Sequence, residues 1–341
     1  MRVCWAMHRA VIFDSHAVGY TSSSVALLAA LRASGRVEIV DDAQDADVVV
    51  HYCHPRNFVP VDGKRNVLFT MYELDPPPPE FAAASRVADA VLTPSAYSAR
   101  LLRMGMNRET PLVVVPLGFD PSVWTLPTGP RAWDSAEPFT FLYVGALNDR
   151  KGTHLIMRAF ERFDGVPGVR LVMKISGTGD ATRRRVVERN GVIYDDRALP
   201  AEALRVLYRR AHAFVFPTLG EGFGLTPLEA AAVGLPLIVS AGGAIGEFLD
   251  QRLVAAALPT RRHALQVGDD ESVKYGWRVD PDALSAAMLD VVRNYRPAAR
   301  NALRLARRVH EGWTYAHAAD RLALALTRLA EDRRWLPRRA A

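Results

Sequence analysis

The chain has 341 residues, 49% hydrophobic and 23% charged, an ordinary globular composition with length enough for two domains. Its formal net charge of +6 fits a ligand bearing phosphate, an anionic lipid or a nucleic acid, and equally an arginine-rich composition with no such partner. Two cysteines, Cys4 and Cys53, exclude a disulfide framework and a paired-cysteine zinc site, and no apolar run reaches the roughly 18–20 residues of a membrane span. A cytoplasmic protein, at most in peripheral contact with a membrane, is the expectation.

Short apolar runs at Val48-Val49-Val50, Val67-Leu68-Phe69, Ala90-Val91-Leu92 and 112–115 read as buried parallel strands. Helical stretches lie between them. Ser24 to Ala33 follows a Ser-rich turn, and Ser95 to Met104 starts at a capping serine and stops at Gly105. Residues 120–138 carry prolines and little periodicity and read as a linker. The alternation then restarts, with strands expected at 139–144, 171–175, 213–216 and 236–239 and helices at 153–162, 181–190, 200–210 and 226–233. The tail from Pro281 to Arg334 reads as helical, with Leu322, Leu326 and Leu329 on one stripe. Two α/β halves make a fold in which ligands bind at the carboxyl ends of the strands.

The most informative segment is Glu221-Gly222-Phe223-Gly224-Leu225-Thr226-Pro227-Leu228-Glu229, between an expected strand and an expected helix. Its glycines allow close backbone approach to a ligand, Thr226 reads as the N-cap and Pro227 as the first helical residue. Free amides at the helix start, with the dipole, suit phosphate or sugar oxygens. Glu221 and Glu229 are acceptors for the vicinal hydroxyls of a ribose or hexose. Thr226-x-x-Glu229 also reads as a capping box, in which Glu229 only satisfies a backbone amide. That reading leaves Glu221 and the two glycines unexplained.

Glu221 and Glu229 match the E-x7-E motif of the retaining GT-B glycosyltransferases of family four, and the block from Ala201 to Ser240 resembles that family's donor site almost from end to end. FLYVGALNDRKGTHLIMRAF resembles the strand, phosphate loop and helix that open its second domain. TMYELDPPPPEF, LTPSAYSARLL and VVVPLGFDPSVW resemble parts of its first domain, and WRVDPDALSAAM and EGWTYAHAADRL its C-terminal part. The resemblance implies a GT-B fold, two Rossmann-like domains with parallel sheets facing a central cleft. The expected division is 1–125 for the acceptor side and 126–313 for the nucleotide-sugar side, with a helix at about 314–341 packing back on the first domain.

The resemblance also implies roles. Glu229 binds the ribose hydroxyls, Glu221 contacts the transferred sugar, and the backbone of Phe223, Gly224 and Leu225 holds the sugar and distal phosphate. Lys151, with Arg150, neutralises the diphosphate leaving group, a task that suits a cation pair between a strand and Gly152. The plainer reading of that pair is a solvated turn. Ala146 stands after Gly145 where many members carry arginine, and Arg150 is expected to take its place. Gly177 falls beside the nucleotide and Ile193 where the family packs the base, Ile193 being equally readable as strand core. Gly19-Tyr20-Thr21-Ser22 stands where the family has a glycine-rich phosphate loop, without the double glycine. Glu73 falls near a position that faces the sugar, where it orients the acceptor hydroxyl or accepts its proton, or serves as a structural carboxylate.

No metal or other cofactor is expected, because lysine, arginine and the helix dipole meet the diphosphate; the donor is a UDP- or GDP-sugar substrate. His51 and His54 flank Cys53 without a third ligand, and Asp45-Ala46-Asp47 reads as a polar lead-in to a strand. Arg183 to Arg185, Arg261-Arg262 and Arg333 to Arg339 read as solvated faces or a frayed end, with Trp335 among the last. The expected activity is retaining transfer of a sugar to a hydroxyl acceptor, a glycan or glycolipid. The alternatives are a hydroxylated base in DNA, marked by strong salt sensitivity, and a nucleotide-sugar-binding module without catalysis, marked by no donor hydrolysis.

Overall fold

A computed structural model describes residues 1–6, 18–164, 166–176, 186–189, 191–266 and 272–331. The chain forms two compact units: Met1–Gly118 with Trp313–Ala341, and Phe119–Gly312. The boundary therefore precedes the Pro-rich linker. Residues 119–125 belong to the second unit, where Trp124 packs edge-on against Tyr208 at 4.9 Å between ring centroids. Farther along the same segment, Arg131 donates to the carbonyls of Arg209 and Ala211.

The first unit is built on β1 (Arg2–Ala6), α1 (Val18–Ser34), β2 (Glu38–Val40), β3 (Val48–Tyr52) and β4 (Arg65–Phe69), followed by α2 (Pro79–Val87), β5 (Ala90–Thr93), α3 (Ala96–Arg103) and β6 (Leu112–Val114). The strands form one sheet in the order β2-β1-β3-β4-β5-β6, parallel throughout. Its central strands are continuous apolar runs because both faces are covered; Val48, Val49 and Val50 are all buried. Ser95 caps α3, accepting from the Ser98 amide at 2.9 Å.

α1 begins at Val18, earlier than the sequence predicts, so Gly19-Tyr20-Thr21-Ser22 lies in its first turns rather than in a loop before it. Tertiary contacts override the modest helix propensity of the serines. Ser23 Oγ lies 2.8 Å from the buried Tyr52 hydroxyl, and Trp5 Nε1 donates to Ser24 Oγ at 2.9 Å.

The second unit contains β7 (Phe139–Ala146), α4 (Thr153–Phe160), β8 (Val169–Ser176), β9 (Val186–Arg189), β10 (Val192–Asp195), α5 (Ala201–Arg210), β11 (Ala213–Phe216), α6 (Leu225–Ala232), β12 (Leu237–Ser240) and β13 (Ala256–Leu258). Its sheet runs β13-β12-β11-β7-β8-β10-β9, parallel except for β9. The predicted helix over 181–190 is corrected where it is described: the β-branched pair Val186-Val187 lies in an edge strand antiparallel to β10. A separate hairpin, β14 (Thr260–Gln266) and β15 (Val273–Val279), precedes α7 (Pro281–Arg293) and α8 (Tyr295–Gly312). The last helix, α9 (Tyr315–Glu331), returns to the first unit and packs on α1, burying Leu322, Leu326 and Leu329. Arg36 and Asp320 pair across that contact.

Candidate donor site in the second unit

The sheet order of the second unit places the site. From β7 the chain builds outward through β8 and β10, then crosses to β11 on the other side of β7. Open α/β sheets bind ligands beyond the carboxyl ends of the strands at such a reversal of direction. The loops after β7 and β11 emerge there, and they carry Arg150-Lys151 and Glu221.

The loop after β7 ends in a 3-10 turn, Asp149–Lys151, with the Asn148 side chain accepting from the Lys151 amide at 3.0 Å. Gly152 follows with φ +71°. A Cβ there would sit 2.2 Å from the Pro217 carbonyl oxygen, so the two loops are in backbone contact through a residue that must be glycine. The Leu219 amide ties them further, donating to the Arg150 carbonyl at 2.7 Å. Gly152→Ala is expected to lower stability by about 3 kcal/mol, from a left-handed backbone and a steric clash together. A melting temperature within a degree of wild type would contradict that contact.

Lys151 and Glu221 meet in this fixed frame. Lys151 Nζ donates to Glu221 Oε1 at 2.5 Å, and the Thr218 hydroxyl donates to the same oxygen at 3.1 Å. Arg150 Nη1 lies 3.7 Å from Glu221 Oε1 and donates to the Gly220 carbonyl at 2.8 Å. Lys151 also lies 5.4 Å from the centre of the Phe216 ring. Side-chain exposures of 16% for Lys151, 21% for Arg150 and 9% for Glu221 set the group apart from a solvated surface turn.

Glu229 is placed differently from a capping residue. The N-cap of α6 is Gly224, at φ +106°, and no side chain caps the helix. Thr226 and Pro227 therefore lie inside the first turn, not at the N-cap and first helical positions that the sequence predicts. The Glu229 carboxylate instead accepts from the Tyr208 hydroxyl at 3.1 Å. Burial raises its pKa to about 8 against the pull of that hydrogen bond. A carboxyl held at this cost is what a binding site displays. Tyr208, fully buried on α5, is a site residue that sequence reasoning missed. Nothing local marks it, since it lies far along the chain from Glu229 and sits in an ordinary helix.

The other residues expected on the donor side are placed as follows. Gly222 and Phe223 are buried in the loop, with Phe223 packed on Phe248 at 5.3 Å, and Leu225 opens α6. A Cβ on Gly224 would meet Ile245 at 3.1 Å and Pro227 at 3.2 Å. Gly145 is near the carboxyl end of β7, and Ile193 lies half-buried in β10, paired with Val172 and Glu188. Gly177, Arg183 to Arg185 and the arginines from 333 onward lie outside the described residues.

In the first unit, Glu73 is half-buried just beyond the end of β4. Its carbonyl accepts from the Tyr97 hydroxyl at 3.1 Å. Tyr20, from the first turn of α1, hydrogen-bonds the Met71 amide and carbonyl, both at 3.1 Å. His51 Nε2 lies 2.9 Å from Asn66 Oδ1, and His54 accepts from the Arg56 amide while packing edge-on against Phe81. Both histidines thus have structural partners. Among the described residues no group of three or more His, Cys, Asp or Glu side chains is placed to hold a metal ion. No helix of the described residues is long and apolar enough to cross a membrane.

Two Rossmann-like domains, one with basic and acidic loops apposed at its switch point, define a protein of the GT-B class. Comparison with solved structures agrees. A sucrose-phosphate synthase from Thermosynechococcus elongatus superposes with a TM-score of 0.70 at 16% identity, over 96% of this chain and 98% of that one. Anabaena HepE, solved with UDP and glucose, gives 0.67 at 13% identity over 96% and 100%. At these identities the likeness carries the fold alone. A profile of the family described as "Family 4 Glycosyltransferase in conflict systems" matches residues 83–322, and the chain belongs to that family. A glycogen synthase of Mycobacterium tuberculosis is 37% identical over 117 residues, which are 32% of this chain but only 28% of that protein.

Proposed function

We propose that this chain moves a sugar from a nucleoside diphosphate sugar to a hydroxyl of a glycan or glycolipid, with retention of anomeric configuration and without a metal ion. The observation that carries the reading is the largely buried Lys151–Glu221 pair, with Arg150 beside it, at the switch point of the second sheet. The leaving group is a nucleoside diphosphate. Lys151 and Arg150 neutralise the charge that grows on it as the glycosidic bond breaks. Glu221 holds hydroxyls of the transferred sugar, Glu229 those of the ribose, and the Gly222–Leu225 backbone approaches the sugar and distal phosphate. Ile193 lies against the base. Retention follows a front-face course, in which the departing phosphate oxygen takes the proton of the acceptor hydroxyl. Glu73 orients that hydroxyl.

The structure of HepE with UDP and glucose makes UDP-glucose the first donor to try, with GDP-mannose beside it. The slow hydrolysis that accompanies transfer reports the chemistry without a known acceptor. Proton NMR of the first sugar released from an α-linked donor is expected to show the α-anomer, at a rate unchanged by EDTA. Release of the β-anomer would overturn retention, a tenfold or greater loss in EDTA would overturn metal independence, and binding without any turnover would leave a donor-binding module.

A further inference from the structure

The β14–β15 hairpin lies outside the seven-stranded sheet, yet it is fastened to the donor loop. The Trp277 amide donates to the Leu219 carbonyl at 2.6 Å, two residues before Glu221. Trp277 also crowds Gly242 so closely that a Cβ there would lie 2.8 Å from the indole Cγ. The hairpin is therefore held in place beside the site.

Its register sorts the basic residues. Arg261 pairs with Arg278, Arg262 with Trp277 and His263 with Gly276. Side chains alternate along a strand, so Arg261, His263 and Arg278 share one face and Arg262 takes the other. Arg262 lies 3.8 Å over the Tyr275 ring, which settles it on its own face. On the first face two guanidinium groups stand directly opposite each other, an arrangement that destabilises a sheet unless something compensates it. Arg278 Nη1 lies 3.4 Å from His263 Nε2, and Arg278 Nε is buried without a hydrogen-bond partner among the described residues. His154, from the first turn of α4, is within electrostatic reach of Arg278 and His263. The charge of Arg278 depresses the protonation of both histidines, after the larger effect of burial. The Asp149 carboxylate lies 3.4 Å from the His154 ring and is itself largely exposed.

We propose that Arg261, Arg278, His263 and His154 form a second anion site, distinct from the donor-diphosphate loop, that takes a phosphate group carried by the acceptor. Geometry and charge identify the ligand as an anion; calling it part of the acceptor rests on the glycosyltransferase reading. A phosphate monoester or diester suits the group, since guanidinium forks match its oxygens and both imidazoles add donors when protonated. A phosphate there offsets the cross-strand repulsion that the hairpin carries alone.

The test uses the full chain with its donor site filled by UDP or GDP, whichever binds. Inorganic phosphate and glycerol 3-phosphate are titrated at constant ionic strength while the melting temperature is followed. A further rise of about 2–4 °C with glycerol 3-phosphate is expected. The rise is lost in R261Q/R278Q, which keeps its response to the nucleotide. No further rise, or the same rise in the double variant, overturns the site. A response to inorganic phosphate alone overturns the assignment to the acceptor. Failure of the nucleotide itself to bind would instead sink the donor reading, and the phosphate titration would then judge the anion site on its own.

Discussion

Lys151→Met is expected to lower donor turnover by about a hundred- to a thousandfold with little change in the apparent affinity for the donor. In the proposed reading the ammonium group acts on charge that develops only as the leaving diphosphate forms, so its removal falls on the transition state more than on the bound substrate. The substitution also strips Glu221 of its closest partner. Arg150 at 3.7 Å and the Thr218 hydroxyl at 3.1 Å remain, so the carboxylate is weakened rather than abandoned. A stability loss of about 3 kcal/mol is an upper bound for breaking such a buried pair. Adding Glu221→Gln removes the weakly compensated charge and restores the melting temperature without restoring the rate. Recovery of both together would show that the pair serves folding alone.

Glu229→Gln is expected to raise the stability of the ligand-free protein at neutral pH and to abolish its response to nucleotide. Its carboxyl, ordinarily near 4.5, titrates at about 8 in the fold. Between those values the unfolded chain has released the proton and the folded chain still holds it. Wild-type stability therefore falls as pH rises through this window, by about 1.4 kcal/mol per pH unit for this group, and levels off above pH 8. Glutamine carries no such penalty, and its amide oxygen still accepts from Tyr208. At pH 7 the gain is on the order of 3 kcal/mol, and the gap between variant and wild type widens toward pH 8. In the proposed reading the same residue accepts the ribose hydroxyls, so stability and binding are expected to move in opposite directions, as they do where a site is maintained at the expense of the fold. A variant less stable than wild type at pH 8 would make Glu229 a structural residue.

Much of this was legible in the sequence, for identifiable reasons. Strands β3, β4, β5, β7, β8, β11 and β12 stand out because sheets covered on both faces demand short continuous apolar runs, and 48–50, 139–144 and 213–216 supply them. Glu221 and Glu229 were visible because their glycine-rich surroundings fit close backbone approach better than ordinary turn chemistry. What the sequence hides is whatever depends on contacts distant along the chain. Thr21 to Ser23 look like a turn before a helix at Ser24 until Tyr52 and Trp5 are in place to engage Ser23 and Ser24. Thr226-x-x-Glu229 looks like a capping box until Gly224 takes the N-cap and Tyr208 takes the carboxylate. Arg261-Arg262 looks like one solvated pair until the hairpin register sends the two side chains to opposite faces.

The most direct test of the central claim is a melting-temperature panel with UDP, GDP and their sugars, on wild type and on Glu229→Gln, at pH 8. A ligand that binds only the folded chain raises the melting temperature. A rise of about 5 °C with one nucleotide and its sugar is expected in the wild type, and none in the variant despite its higher starting stability. Absence of any rise in the wild type, or an equal rise in both proteins, would contradict a donor site built on Glu229.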